Sequence, residues 1–464
     1  MIRGYAEQPS PRGGDPLVLR VATDAPQFRV EFYRCGEKPM LRGRTPWLPG
    51  RDAPLHLPFQ NWGTPNSGLR EEQLAPWPAY TFTVPPEWTS GIYVALFVEG
   101  DGTGRDASHP DRTTPDGREA KALFVVRSAP DTSARVLYKL PLLTYHAYNL
   151  GGDEVYDRET QRGHWCLYNV PRPHEVPRPF LPAVGLHRPG GGTGATPYDI
   201  FNFDPFDPTP RQTFVHWDGR FVGWLERAGY AVDYCTDVDL HRDGTALLAP
   251  YRLLVSVGHD EYWSDAMRAA VEGHVAAGGN AAFFGGNTCW WRVVFHDDVT
   301  FSRTEFWHDV GQPENTMIGV SFRNGGERDR NDHPLPVGYR VQHAEHWVYA
   351  GTGVRDGDVF GGSGEYIVGY ECDGAHFDRA DLEAGRPVTP SGVDGTPPDF
   401  TILAVGDTRP SGWGFGNSAA TMGLFTRGGT VFNAATTDWA RVLTGGTSPV
   451  VEQITRNVLD RLGA

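Results

Sequence analysis

The chain has 464 residues and a formal net charge of −15, which calls for two or three domains with a sizeable core and argues against nucleic-acid or anionic-membrane partners, both of which need a basic face. No stretch approaches the ~18 apolar residues of a spanning helix, and no basic-then-apolar leader opens the chain. Cys35, Cys166, Cys235, Cys289 and Cys372 are scattered with no CxxC, so neither a disulfide framework nor a zinc ribbon is expected and the reading is a cytoplasmic protein.

Residues 1–130 read as all-β. LVLRVAT, FRVEFYR, AYTFTVP, GIYVALFVEG and KALFVVR are short alternating or β-branched runs between Pro, Gly and Asp turns, the pattern of an immunoglobulin-like β-sandwich. SAPDTSA is the expected linker. From 135 to 464 strands and helices alternate. VLYKLPLLTY reads as a strand, FVGWLERAGY as a helix end, AVDYCTD as a strand, and LLVSVG and AAFFGG as two more strands around a helix at 264–277. That βαβαβ order predicts a parallel sheet with right-handed crossovers. Residues 149–215 hold little regular pattern and read as a long functional loop or lid. After about 292 the runs shorten, and a helix at Pro449–Leu462 closes the chain.

The segment Tyr251–Trp291 locates the chemistry. Two apolar runs, Leu253–Val257 and Ala281–Phe284, each stop at glycine and release polar side chains: His259, Asp260 and Glu261 after the first, Asn287 and Cys289 after the second. Open α/β sheets bind ligands at such carboxyl ends. His259 and Glu261, two apart, can face one way with Asp260 turned aside. The pair suits a metal, or a Glu base oriented by His; the structural alternative is Glu261 as a cap of the following helix near Ser264. Asn287 occupies the apex of an elbow-like turn but is no nucleophile, and its amide can donate to an oxyanion. Cys289 beside Trp290 and Trp291 reads as a buried small hydrophobe rather than a thiol nucleophile. Tyr145, Tyr148 and Tyr156 read first as core aromatics, and His187 and His346 as structural hydrogen-bonders. Glu371, after an apolar strand, can reach the same crevice. HRPGGGTGATP is neither a P-loop nor a dinucleotide fingerprint and reads as close backbone packing.

The motifs TYHAYNLGG, GYAVDYCTDVDLHRD, LLVSVGHDEYWSDAMR, GGNAAFFGGNTCWWR, VGYECD and GGTVFNAATTDWA resemble the N,N-dimethylformamidase large (β) subunit family, from about 135 to the end. The resemblance implies a flavodoxin-like core of the class I glutamine amidotransferase type with an altered elbow. It implies a small-molecule amide substrate and a mononuclear iron, zinc being the weaker alternative, held by two tyrosines and a glutamate, with a His, an Asn and a Glu assisting. Motif by motif, the ligands fall on Glu261 and Tyr148 and the assisting groups on His259, Asn287 and Glu371. Gly190 stands in place of the second tyrosine, so a further ligand has to come from His187, Tyr156, Tyr168 or Tyr198, or the iron is absent. The expectation is an amide or formamide C–N hydrolase with water activated by Glu261 or a metal, in a chain that can form a homo-oligomer. A non-catalytic binding module that retains the crevice is the alternative.

Overall fold

The computed structural model describes residues 2–53, 77–100, 119–149, 167, 183–193, 209, 211–328, 337–409, 412–414 and 416–464. Most of the 149–215 loop, including Tyr156, Tyr168 and Tyr198, lies outside the described residues.

Two antiparallel sheets open the chain. Ile2–Ala6, Pro16–Thr23 and Ala79–Thr83 form one, and Met40–Arg44, Gln27–Arg34, Gly91–Gly100 and Glu119–Val126 form the other. Period-two patterning supplies their shared core: Leu17, Leu19 and Val21 from the first sheet meet Phe28, Val30, Phe32 and Phe124 from the second. The opposite face of the second sheet is apolar as well. Ile92, Val94, Leu123 and Val125 pack into one cluster with Val136, Tyr138, Phe221 and Trp224, so the two halves of the chain share a hydrophobic layer. Arg127 ties them further, with Nη1 at 2.9 Å from both Asp239 and Asp243.

The second half is built on a nine-stranded sheet. Five neighbours run parallel: Val232–Thr236, Val136–Leu140, Leu253–His259, Asn280–Gly286 and Gly429–Asn433. In chain order this is second, first, third, fourth, fifth. Ala419–Arg427, Thr401–Asp407, Tyr339–Val341 and Val359–Phe360 extend it antiparallel. The parallel strands read as continuous apolar runs because both faces are covered. Leu253, Val255, Val257, Ala282 and Phe284 pack with residues of the helices Asp218–Ala228 and Pro449–Leu462. Leu254, Ala281 and Phe283 pack on the other side with residues of Asp237–Leu248 and Asp265–Ala276.

Caps set the helix starts. Ser264 accepts from the Met267 amide and Thr236 from the Asp239 amide, each worth about 1 kcal/mol. The helix Asp265–Ala276 buries Met267, Ala270, Val271 and Val275, the face its spacing predicts. One expectation fails. VLYKLPLLTY is not one strand: the strand ends at Leu140 and a helix runs Leu142–Tyr148. Pro141 lacks the N–H a ladder needs, and the carboxylate of Asp237 accepts from the Leu143 amide at 2.8 Å, which supports a helical start. Among the described residues no helix is long and apolar enough to cross a membrane.

Candidate active site

The strands Val136–Leu140 and Leu253–His259 are neighbours although the chain leaves to an outer position between them. At such a reversal of strand order the connections part and open a crevice at the carboxyl ends. Tyr148 reaches it from the helix after the first of these strands. His259 ends the second, and Glu261 follows. Asn287 follows the parallel neighbour Asn280–Gly286, and Glu371 begins the strand Glu371–Gly374.

These side chains converge on one imidazole. His259 Nε2 lies 2.8 Å from Glu371 Oε2 and 3.5 Å from Glu261 Oε2. Tyr148 donates its hydroxyl to Glu261 Oε2 at 2.7 Å. Asn287 Nδ2 donates to Glu371 Oε2 at 3.2 Å and lies 3.4 Å from His259 Nε2. On the other ring nitrogen, His259 Nδ1 pairs with Gln212 Oε1 at 3.1 Å. Aromatic rings wall the imidazole, with Tyr148 at 5.4 Å and Trp217 edge-on at 5.7 Å. All five side chains are buried.

Burial sets the charges here. On its own it would lower the pKa of His259, but the carboxylates of Glu371 and Glu261 outweigh it and lift the imidazole to about 9. Burial also pushes Glu261 up, against the pull of His259 and with the added repulsion of Glu371. Tyr148 is raised well above the usual phenol range by burial and by the Glu261 carboxylate, so its hydroxyl stays a proton donor.

Asp260 does turn aside. Its carboxylate pairs with the buried Lys139 ammonium at 2.7 Å and accepts from Ser256 Oγ at 2.5 Å and Trp263 Nε1 at 3.0 Å. This anchored pair fixes the backbone from which His259 and Glu261 project the other way. The Glu261 amide donates to Thr144 Oγ1 at 3.0 Å, which ties it to the helix carrying Tyr148. The cap alternative for Glu261 is overturned: Ser264 caps the helix and the Glu261 carboxylate faces Tyr148.

The turn after Gly286 has Asn287 at φ 49° and Cys289 at φ 58°. Asp373 holds it, accepting the Asn287 amide at 2.8 Å and the Thr288 amide at 3.3 Å. Gly286 is required by close approach, since a Cβ there would lie 2.5 Å from the Glu371 carbonyl oxygen and 2.8 Å from the Thr437 nitrogen. Cys289 is fully buried in the apolar cluster under the turn, and burial pushes its thiol pKa well up.

His187 is not brought to this cluster, which corrects the expectation of a His187 ligand. Its Nε2 lies 3.0 Å from the Glu7 carbonyl and its ring stacks on Tyr5 at 5.8 Å, so it braces the loop against the first strand. The Gly190 position also has a physical reason. Its φ is +101°, and a Cβ would run into the Asn149 side chain, so a tyrosine does not fit that backbone. Tyr148 and Glu261 therefore bring two oxygen donors together in a buried place, and this much suits an iron. Among the described residues no group of three His, Cys, Asp or Glu side chains is arranged to hold a metal ion.

Sequence reasoning missed Gln212, Asp373, Lys139 and Trp217. Asp373 had a legible signal: in ECDG it sits two residues after Glu371 on a strand, hence on the same face. Gln212 follows a stretch without periodicity and gave none.

The family model for the C-terminal part of N,N-dimethylformamidase beta subunit-like proteins matches residues 60–453. The chain belongs to that family. Within it, the chain is 26% identical over 198 residues to the N,N-dimethylformamidase beta subunit of an Alcaligenes species, covering 37% of this chain and 25% of that protein. It is 26% identical over 196 residues to the N,N-dimethylformamidase beta subunit of Paracoccus aminophilus, with the same shares. The chain thus aligns with about a quarter of the length of these dimethylformamidase subunits.

Proposed function

We propose that this chain is an amide hydrolase that cleaves a C–N bond with water as the attacking group. The observation that carries the reading is the convergence of Tyr148, Glu261, Asn287 and Glu371, from four separate segments, around His259 at the ends of parallel strands. A dimethylformamidase-like family and a buried acid–base cluster point to the same reaction class. The 2-1-3-4-5 order supports the flavodoxin-like part of this reading.

In the proposed reaction the Glu261 carboxylate takes a proton from water, whose oxygen bonds to the substrate carbonyl carbon. Asn287 Nδ2 and the His259 N–H donate to the carbonyl oxygen as it gains charge. His259, paired with Glu371, then gives its proton to the amide nitrogen as the C–N bond breaks. The products are a carboxylic acid and an amine. Glu371 keeps the imidazole charged and oriented, and Gln212 fixes its other nitrogen. Tyr148 and Glu261 are the residues that would hold an iron, which would supply Lewis-acid polarisation of the carbonyl when bound.

Glu261→Gln tests the assignment, because the amide oxygen still accepts from Tyr148 and the fold keeps its hydrogen bond. Amine release from a panel of small formamides and acetamides should fall by at least about 10²-fold, with thermal unfolding little changed and bound metal, measured by elemental analysis, lost. Full turnover by Glu261→Gln would refute the role of Glu261. No hydrolysis by the wild type across the panel would favour the binding module.

A further inference from the structure

The motif GGTVFNAATTDWA carries an acidic residue, Asp438, that is not part of the cluster around His259. Asp438 is buried, and its Oδ1 meets two supports of that cluster. It accepts from Trp217 Nε1 at 3.2 Å, and the Trp217 ring is the wall set edge-on to His259 at 5.7 Å. The same oxygen lies 3.3 Å from Thr437 Oγ1. Thr437 is the mount of Glu371. Its backbone N–H donates to the Glu371 carbonyl at 3.1 Å, and its Oγ1 accepts from the Glu371 amide at 3.4 Å. The single hydroxyl proton of Thr437 also has the carbonyls of Gly369 and Glu371 within 3.3 Å. A carboxylate is the strongest acceptor of the three, so the proton goes to Asp438. Trp217 and Glu371 both bear on the imidazole, Glu371 at 2.8 Å, and one carboxylate oxygen ties them together.

We infer that Asp438 is a further positioning residue of the site. Through Oδ1 it couples the Trp217 wall to the Thr437–Glu371 mount, and so sets the His259 ring against the Glu371 carboxylate. It acts through these residues rather than on the reacting atoms. What the arrangement asks of it is an acceptor at that point, so asparagine should serve and leucine should not. A misplacement of about 1 Å at a reacting group costs on the order of 10²-fold in rate. The inference rests on the amidase reading only where turnover is measured, so its test pairs turnover with crystal structures of the full chain.

Asp438→Asn keeps an oxygen for both donors, whereas Asp438→Leu has nearly the same size and none. In the leucine variant His259 Nε2 and Glu371 Oε2 should part beyond about 3.5 Å. Its kcat for amine release should fall by about 10–10²-fold, with KM within about two-fold. The asparagine variant should keep the 2.8 Å pairing and the wild-type kcat. Trp217→Phe, which keeps a ring and removes the donor, repeats the test should the leucine variant unfold. A folded Asp438→Leu or Trp217→Phe chain that keeps the pairing, or keeps the turnover of an active wild type, overturns the inference. So do equal losses in the asparagine and leucine variants, and a wild type without the pairing. A pairing lost with leucine and kept with asparagine, in a chain that hydrolyses no amide, leaves the inference standing and sinks the amidase reading instead.

Discussion

Asp218 carries a pH-dependent load beneath the site that can be measured. It opens the helix Asp218–Ala228 next to Trp217, whose ring walls His259. Its carboxyl is completely buried and accepts from Tyr138 at 2.6 Å and from Tyr145. Burial pushes its pKa up to about 7, with the two phenol hydrogen bonds pulling the other way. The folded chain therefore keeps a proton that the unfolded chain gives up near pH ~4. The resulting stability is fully present below that pH and is lost as pH rises through about 7. A rise from 3.8 to about 7 corresponds to about 4 kcal/mol at ~1.36 kcal/mol per pH unit. Relaxation around the ionised group lowers the figure, so roughly 2–4 kcal/mol is expected. Asp218→Asn has the same shape and no charge to bury. Urea unfolding of both proteins from about pH 4.5 to about pH 8, with m-values held equal, should show the stability difference moving toward the variant by that amount. Comparing the two proteins cancels His146, whose pKa burial lowers and which acts in the opposite sense below pH ~6.5. A difference independent of pH, or one that moves toward the wild type as pH rises, would show that Asp218 is ionised throughout and refute the argument.

Gly286→Ala places a methyl group 2.5 Å from the Glu371 carbonyl oxygen and 2.8 Å from the Thr437 nitrogen, both backbone atoms that cannot swing aside. Differential scanning should show a loss of about 1–3 kcal/mol, and amide binding should weaken because Glu371 is displaced. Cys289 should resist iodoacetamide in the native chain at about pH 8 and react after denaturation, since it is fully buried with a raised pKa. Mass-spectrometric detection of rapid native labelling would contradict that placement.

The parallel strands and their helices were legible because they are long and strongly periodic. Leu253–His259, Asn280–Gly286 and the helix between them follow from apolar runs, glycine stops and the Ser264 cap. The site was legible where polar residues sit at strand ends: His259, Glu261, Asn287 and Glu371 all meet. Tyr148 was placed beyond a strand, whereas it lies on a helix that starts after Pro141. The local apolar run was equally compatible with either, and the Asp237 contact that helps decide it comes from ninety-four residues away. His187 failed for the complementary reason. Nearness in sequence to Gly190 says nothing about which way an irregular loop turns, and the Glu7 carbonyl and Tyr5 ring that hold it belong to the other half of the chain.

The elbow-like turn shows how a shared backbone shape can serve different chemistry. In a nucleophile elbow the apex residue attacks and the following backbone N–H stabilises the oxyanion. Here the apex is Asn287, and the Thr288 N–H is already committed to Asp373, as is that of Asn287 itself. Neither an apex nucleophile nor an open backbone oxyanion donor is left at this turn, and Cys289 points into the core. Asp373 has in effect turned the elbow into a rigid mount for the Asn287 side chain, aimed at the His259–Glu371 pair. In the proposed hydrolysis side chains contribute the hydrogen-bond donors to the oxyanion and water is the attacking group. That is why the proposed hydrolysis has no acyl-enzyme step.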